Sequence, residues 1–159
     1  MTVRIRPMKK IDKPAVMKIL HDTPEFKPAE VVVAKEVIDS YLRDPQGSGY
    51  NTLVAQDGSI INGYICYGPT PLTEGTWDIY WMAVAAGGQG KGVGSALLSY
   101  AEEKIKEAKG RLIVIETSGL SGYEKTRRFY LKHGYEPISH IPDFYAPGDD
   151  KIILQKRLA

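Results

Sequence analysis

The sequence predicts a mixed α/β fold of the α+β kind, with a mostly antiparallel sheet of about seven strands and about four flanking helices. Three observations lead there. The apolar periodicity alternates between strand and helix spacing in the order β-α-α-β-β-β-α-β-α-β-β. Asp57-Gly58 separates two strand-like runs, a strong hairpin signal. A β-branched and aromatic strand, Asp78–Val84, leads through the glycine-rich run Gln89–Ser95 (Q-G-K-G-V-G-S) into a helix. With no repeat, low-complexity tract or linker, residues 1–159 read as one domain.

The elements follow in order. Thr2–Met8 reads as a strand, with Val3 and Ile5 on one face and Arg4 and Arg6 on the other. Asp12 offers an N-cap and Pro14 fits the first turn of a helix reaching about His21. Val31, Ala34, Ile38, Tyr41 and Leu42 recur at helical spacing, giving a second helix over Pro28–Arg43. Asp44–Gly49 breaks it, and strands Tyr50–Gln56 and Ile60–Tyr67 follow. Gly68-Pro69-Thr70-Pro71 interrupts before the Asp78–Val84 strand. After the glycine run, a helix over 94–109 carries the stripe Val93, Leu97, Ala101, Ile105 and Ala108, and Leu112–Thr117 reads as a strand. Ser121–His133 is a last helix, stopped by Gly134, and strands Tyr135–Ile141 and Lys151–Leu158 close the chain.

Composition excludes several classes. A chain of 159 residues, 43% hydrophobic and 25% charged, can build one stable core. Its formal charge of +2 gives no bulk electrostatic case for nucleic acid or membrane surfaces. No apolar run approaches the ~20 residues of a membrane span, and Met1–Arg6 lacks the apolar stretch of a signal peptide. Cys66, the one cysteine, excludes an internal disulfide framework, favours a reducing cytoplasm and reads as buried. His21, His133 and His140 have no metal-ligand spacing, so no metal is expected. Neither a G-x-S-x-G elbow nor a Cys–His pair suggests a covalent nucleophile.

The glycine run carries the chemistry. A helix N-terminus has unpaired N–H donors and partial positive charge, and glycines let an anion approach the main chain. Two familiar phosphate loops fail. Gly92 follows Lys91 where a Walker A loop needs Ser or Thr, and Ser95 stands where a dinucleotide fingerprint needs its third glycine. The spacing that fits is Q-x-x-G-x-G at Gln89, Gly92 and Gly94, which resembles the acyl-CoA motif of the GNAT superfamily of N-acetyltransferases. Phe129-Tyr130-Leu131-Lys132-His133-Gly134-Tyr135 is similar to the family's F-Y-x-K-x-G-F signature, and the element order is also the family's. The chain departs from the pattern at Ala86, where proline is frequent, and at Tyr123, where asparagine usually meets the cofactor arm.

The resemblance implies a twisted GNAT-like sheet and acetyl-CoA as donor. It implies that Gln89, Gly90, Lys91, Gly92, Val93, Gly94 and Ser95 hold the pyrophosphate. Met82, Ala83 and Val84 then offer main-chain groups to the pantetheine arm, with Tyr123 at the position of the missing asparagine. Lys91 reads as a solvated charge beside the phosphates. Arg127, Arg128 and Lys132 lie near the implied adenosine end, on what is otherwise a solvated basic face.

Acetyl transfer to an amine needs a proton acceptor, because an alkylamine has a pKa near ~10.4, and a donor for the departing thiolate. Tyr130 is the implied acid; a phenol near pKa ~10 is protonated at neutral pH. Asp78 and Glu116 are two candidates for the base, directly or through water, with Glu116 preferred. The acceptor is a small-molecule amine or a protein or peptide amine. Its site is expected from the first two helices, the Gly68–Gly75 loop and the Pro142–Asp150 segment, which reads equally as a hairpin turn with Pro147-Gly148 at its tip. The alternative to an enzyme is an acyl-CoA-binding regulatory or interaction domain with little turnover. A homodimer is compatible with either.

Overall fold

Antiparallel pairing builds most of the molecule, and one parallel pair opens it. The computed structural model describes residues 3–158. Its strands are β1 (Arg4–Pro7), β2 (Asn51–Asp57), β3 (Ile60–Pro69), β4 (Thr76–Val84), β5 (Leu112–Ser118), β6 (Glu136–Ala146) and β7 (Asp149–Arg157). Its helices are α1 (Lys13–Asp22), α2 (Pro28–Arg43), α3 (Val93–Glu107) and α4 (Glu124–Lys132). The strands form one seven-stranded sheet in the order β1-β2-β3-β4-β5-β7-β6. Every neighbouring pair is antiparallel except β4 with β5.

Strand alternation sorts the core into two layers, because successive side chains leave opposite faces of a sheet. Leu53 and Ala55 of β2 and Ile65 and Tyr67 of β3 meet Val93, Leu97, Ala101 and Ile105 of α3, with Tyr130 of α4 in the same cluster. Val54, Tyr64 and Cys66, one residue out of phase, meet Val16, Leu20, Ala34 and Ile38 of α1 and α2. Helices α3 and α4 therefore cover one face, and α1 and α2 the other. Cys66 is fully buried as expected, and burial pushes its thiol up to about 12, which keeps it unreactive.

Several expectations need correction at their edges. Thr2 lies outside the described residues, and β1 is shorter than Thr2–Met8. Arg6 does not face solvent but pairs with buried Asp12, whose side chain caps nothing in α1. The tight turn after β2 is Gly58-Ser59 rather than Asp57-Gly58, with Gly58 at φ 61° supplying the left-handed conformation the turn requires. Ala108 is exposed, because α3 ends at Glu107; Leu98 is buried instead. Ser121–Tyr123 forms a 3-10 turn before α4. The Pro142–Asp150 segment is a continuation of the β6–β7 hairpin with Pro147-Gly148 at its tip.

β3 runs two residues beyond Tyr67: Gly68 pairs with Asp78, and Pro69, the last residue of the strand, with Trp77. A Cβ at Gly68 would stand 2.2 Å from the Gly49 carbonyl oxygen, a main-chain atom that cannot swing aside. Gly68→Ala is expected to destabilise the fold by about 2 kcal/mol, read as a lower denaturant midpoint.

Candidate active site

The site begins where β4 leaves β5. Parallel pairing stops at Ile79 with Ile115. Across β4, Cys66 pairs with Trp81 and Tyr67 with Ile79, so Tyr80 is an extra residue, a bulge at that same point. A bulge bends its strand and strengthens the local twist. Beyond it β4 stays on β3 as far as Val84, and β5 stays on β7 as far as Ser118. The sheet thus forks, with the edges of Tyr80–Val84 and Glu116–Ser118 facing each other across the gap.

The fork opens into a cavity of about 500 Å³. Tyr130, Glu116, Asp78, Met82 and Tyr123, predicted from three separate stretches of sequence, all line it. Ala83 and Val84 continue the same strand but do not line it, and Ala83 packs toward α1 and α2. The Gly68–Gly75 loop, expected at the acceptor site, contributes no lining residue; Thr70 reaches the cavity only through Asp78. Phe26, Lys27 and Glu30 at the start of α2, and Tyr145 and Asp149 of the hairpin, do line it, as placed by the first helices and the Pro142–Asp150 segment.

Each titratable group has a distinct setting. The Tyr130 side chain is buried in contact with Phe129 and Tyr135, ring centroids 5.3 and 5.6 Å away. Its hydroxyl has no hydrogen-bond partner among the described residues, and burial pushes the phenol up from its ordinary value. Glu116, half exposed, is 2.9 Å from the Lys151 ammonium. Asp78 accepts a hydrogen bond from the Thr70 hydroxyl at 2.6 Å. The Tyr80 phenol is pushed up to about 12 by burial and then by the charge of Asp78. Tyr123 donates its hydroxyl to the Glu25 carbonyl at 2.7 Å, tying the start of α4 to the loop before α2.

At the far end of β4 lies the glycine run. Gly90 and Gly92 take φ 74° and 80°, and Gly92 is the left-handed residue that opens α3. The main-chain N–H groups of residues 90–95 have no acceptor among the described residues. Such a row of free donors at a helix start, carrying the dipole's positive end, is what a pyrophosphate requires. The residues present therefore fit coenzyme A. Gln89 braces the turn by donating to the Val84 carbonyl at 3.2 Å. Val93 directs its side chain into the core, so only its main chain is available. Lys91 is exposed. A Cβ at Gly94 would sit 3.4 Å from the Phe129 ring, so the glycine keeps α3 close to α4.

The Ser95 hydroxyl is 2.9 Å from His133 Nε2, and His133 Nδ1 is 2.7 Å from the Phe129 carbonyl. A carbonyl only accepts, so Nδ1 carries the proton, and in that tautomer Nε2 accepts a hydrogen bond from the Ser95 hydroxyl. Arg127 is not a free cation of a solvated face; its guanidinium donates to the Ser118 and Leu120 carbonyls at 2.7 and 2.9 Å. Arg128 pairs with Glu124. Sequence reasoning missed Ser118, Thr126 and the ion pair of Lys151 with Glu116. None has a local signal, since all arise from strands and helices distant in the chain.

Comparison with known proteins agrees with this geometry. Residues 48–137 match the family model described as an acetyltransferase (GNAT) domain. A crystal structure of a protein assigned to the GNAT family from Desulfovibrio desulfuricans is 40% identical, with TM-score 0.96 over 99% of this chain and 100% of that one. The ribosomal-protein-alanine N-acetyltransferase of Brucella melitensis is 23% identical, with TM-score 0.76 over 98% of this chain and 99% of that one. The PaiA N-acetyltransferase of Thermoplasma acidophilum, solved with coenzyme A, is 15% identical, with TM-score 0.77 over 99% and 100%. The last two likenesses show the fold alone. No curated protein matches the chain at a significant level. On the family model, the 40% identity and the row of free N–H groups, the chain belongs to the GNAT family and is an acetyltransferase with acetyl-CoA as its acyl donor.

Proposed function

We propose that the chain acetylates a primary amine by direct attack in a ternary complex, with Tyr130 as general acid and Glu116 as general base. Asp78, acting directly or through water, is the other candidate for the base. The observation that carries this reading is the shared cavity: Tyr130, its ring buried and its hydroxyl unpartnered and open to the cavity, lines the same space as two carboxylates at the opening of the β4–β5 fork. Acetyl-CoA, when bound, supplies an activated thioester carbonyl. The N–H groups of residues 90–95 hold its pyrophosphate, and the main chain of Met82, Ala83 and Val84 lies along the open edge for its arm. Glu116 is favoured because it follows Ile115 directly, where the strands part, whereas Asp78 still pairs with Val114 before the fork; each carboxylate has one partner, Lys151 on Glu116 and Thr70 on Asp78. The base keeps the acceptor nitrogen unprotonated, and Tyr130 Oη holds the proton the departing sulfur requires.

Thiol release from acetyl-CoA tests the reading with alkyl diamines, peptides with free N-termini and aminoglycosides as acceptors. At least one class should release thiol in proportion to acceptor; silence from all three would sink direct attack for those acceptors. Glu116→Gln should lower kcat/KM about 100-fold and flatten the acidic limb of its pH profile, with a smaller loss for Asp78→Asn. The reverse ranking moves the base to Asp78.

A further inference from the structure

The cavity is more acidic than the chain that contains it. Four carboxylates, Glu30, Asp78, Glu116 and Asp149, line it against the one ammonium of Lys27; Glu116 is paired from behind by Lys151, which leaves three carboxylates to one cation in a chain that carries +2. Two of the four take no part in the proton transfers proposed above. Asp149 is 6% exposed, and its Oδ1 accepts the Ser118 hydroxyl at 2.5 Å. Its Oδ2 has only the Lys27 ammonium, 3.6 Å away on a side chain that is 58% exposed. A buried charge ordinarily has a close, fixed partner, because water no longer solvates it. Asp149 is held closely on Oδ1 alone; Oδ2 is open to the cavity, where its one ionic partner lies beyond hydrogen-bond reach. Glu30, half-buried in the first turn of α2, has no ion-pair partner among the described residues, and burial pushes its carboxyl up.

Lys27 itself indicates what fits. It is an ammonium on a four-carbon stem, held at the edge of a cavity whose nearby walls are the rings of Phe26, Tyr123 and Tyr145. Aromatic faces and carboxylates together suit a flexible alkyl cation. The same negative field acts on the wall: after burial, Glu30, Glu25 and Asp149 push the Tyr123 phenol up, to about 12.

Accepting the proposed acceptor site in this cavity, we infer that Asp149 and Glu30 take a second ammonium group of the acceptor, displacing the head of Lys27. The preferred acceptor is then an alkyl diamine, either free or as a lysine side chain close to the reacting amine. Asp149 and Glu30 set specificity, while Glu116, Asp78 and Tyr130 serve the reacting nitrogen and the donor sulfur.

The test is equilibrium binding to the full chain saturated with coenzyme A, read by calorimetry. 1,4-Diaminobutane should bind about tenfold or more tightly than butylamine. Asp149→Asn, which keeps an acceptor for Ser118, should bring the two within about threefold. Lys27→Met, which keeps the stem and removes the charge, should tighten the diamine and leave butylamine unchanged. Should Asp149→Asn fail to fold by circular dichroism, Glu30→Gln, half-buried on a helix surface, makes the same comparison. An Ala-Lys amide measured against Ala-norleucine amide separates the peptide source of the second ammonium from the free diamine. The inference is overturned if neither the diamine nor the lysine peptide outbinds its singly charged counterpart. It is equally overturned if the advantage survives in both Asp149→Asn and Glu30→Gln. Binding is read without turnover, so the outcomes separate. A chain that prefers the diamine yet acetylates nothing loses the direct-attack reading alone, and one that acetylates singly and doubly charged amines with equal affinity loses this inference alone.

Discussion

Tyr130→Phe is expected to lower kcat about 100-fold while coenzyme A affinity changes by less than about threefold. The substitution removes only an oxygen without a hydrogen-bond partner among the described residues, so the packing of the ring against Phe129 and Tyr135 survives. Unfolding midpoints should therefore stay close to the parent, which separates a lost proton donor from a damaged core. The pH dependence adds a second signature. Burial raises the Tyr130 phenol, so its acid form persists above the ordinary tyrosine range. The parent's rate should accordingly show no alkaline decline from this group up to about pH 9. A variant with unchanged kcat, measured under saturating acetyl-CoA, removes Tyr130 from the acid's role.

The largest stability effect is expected at the other end of the chain, from Asp12→Ala. Asp12 is 4% exposed and accepts the Arg6 guanidinium through both oxygens, at 2.7 and 2.8 Å, together with the Lys9 N–H at 2.8 Å. Alanine would leave the Arg6 charge, which also meets Gln56, partly buried without its counterion. Loss of one partner from such a pair costs about 3 kcal/mol, which for a domain of this size lowers Tm by about 10 °C. The hydrogen bonds from Arg6 hold the Asp12 carboxyl below its ordinary value. A depressed carboxylate contributes stability that is full above its unfolded pKa, near ~3.9, and is lost as pH falls through the folded value. The gap between parent and variant should hold from neutral pH to about pH 5 and narrow as the pH falls below about 4. A gap constant down to about pH 2 would show that the pair contributes no pH-linked stability.

Much of this molecule is legible from short stretches of chain. The Pro28–Arg43 helix was predicted with the bounds observed, because proline at its start and Asp44-Pro45 after its end act within one turn. The glycine run was readable for the same reason: left-handed turns and free helix-start donors depend on residues side by side, and Gly90 and Gly92 do take positive φ. The strand interiors were equally clear, since alternation sets which side chain enters which layer. Edges were less so. Gly68-Pro69 resembles a stop, yet β3 takes in both residues and ends only at Pro69, which still pairs with Trp77. Arg6 alternates with apolar neighbours as a solvent-facing residue would, and only the fold brings Asp12 beside it.

The donor side and the acceptor side divide along the same line. Local pattern read the glycine run and its helix as an anion cradle, and the resemblance carried by two contiguous motifs pointed from there to an acyl-CoA loop and to Tyr130, because each motif lies in one short stretch of backbone. The bulge at Tyr80, the fork it opens and the convergence of Asp78, Glu116 and Tyr130 on one cavity were decided by strand register, a relation between residues far apart in the chain. The acid pair Glu30 and Asp149 belongs wholly to that second kind. One residue starts a helix, the other follows a hairpin tip, and only packing turns them toward the same 500 Å³ of space.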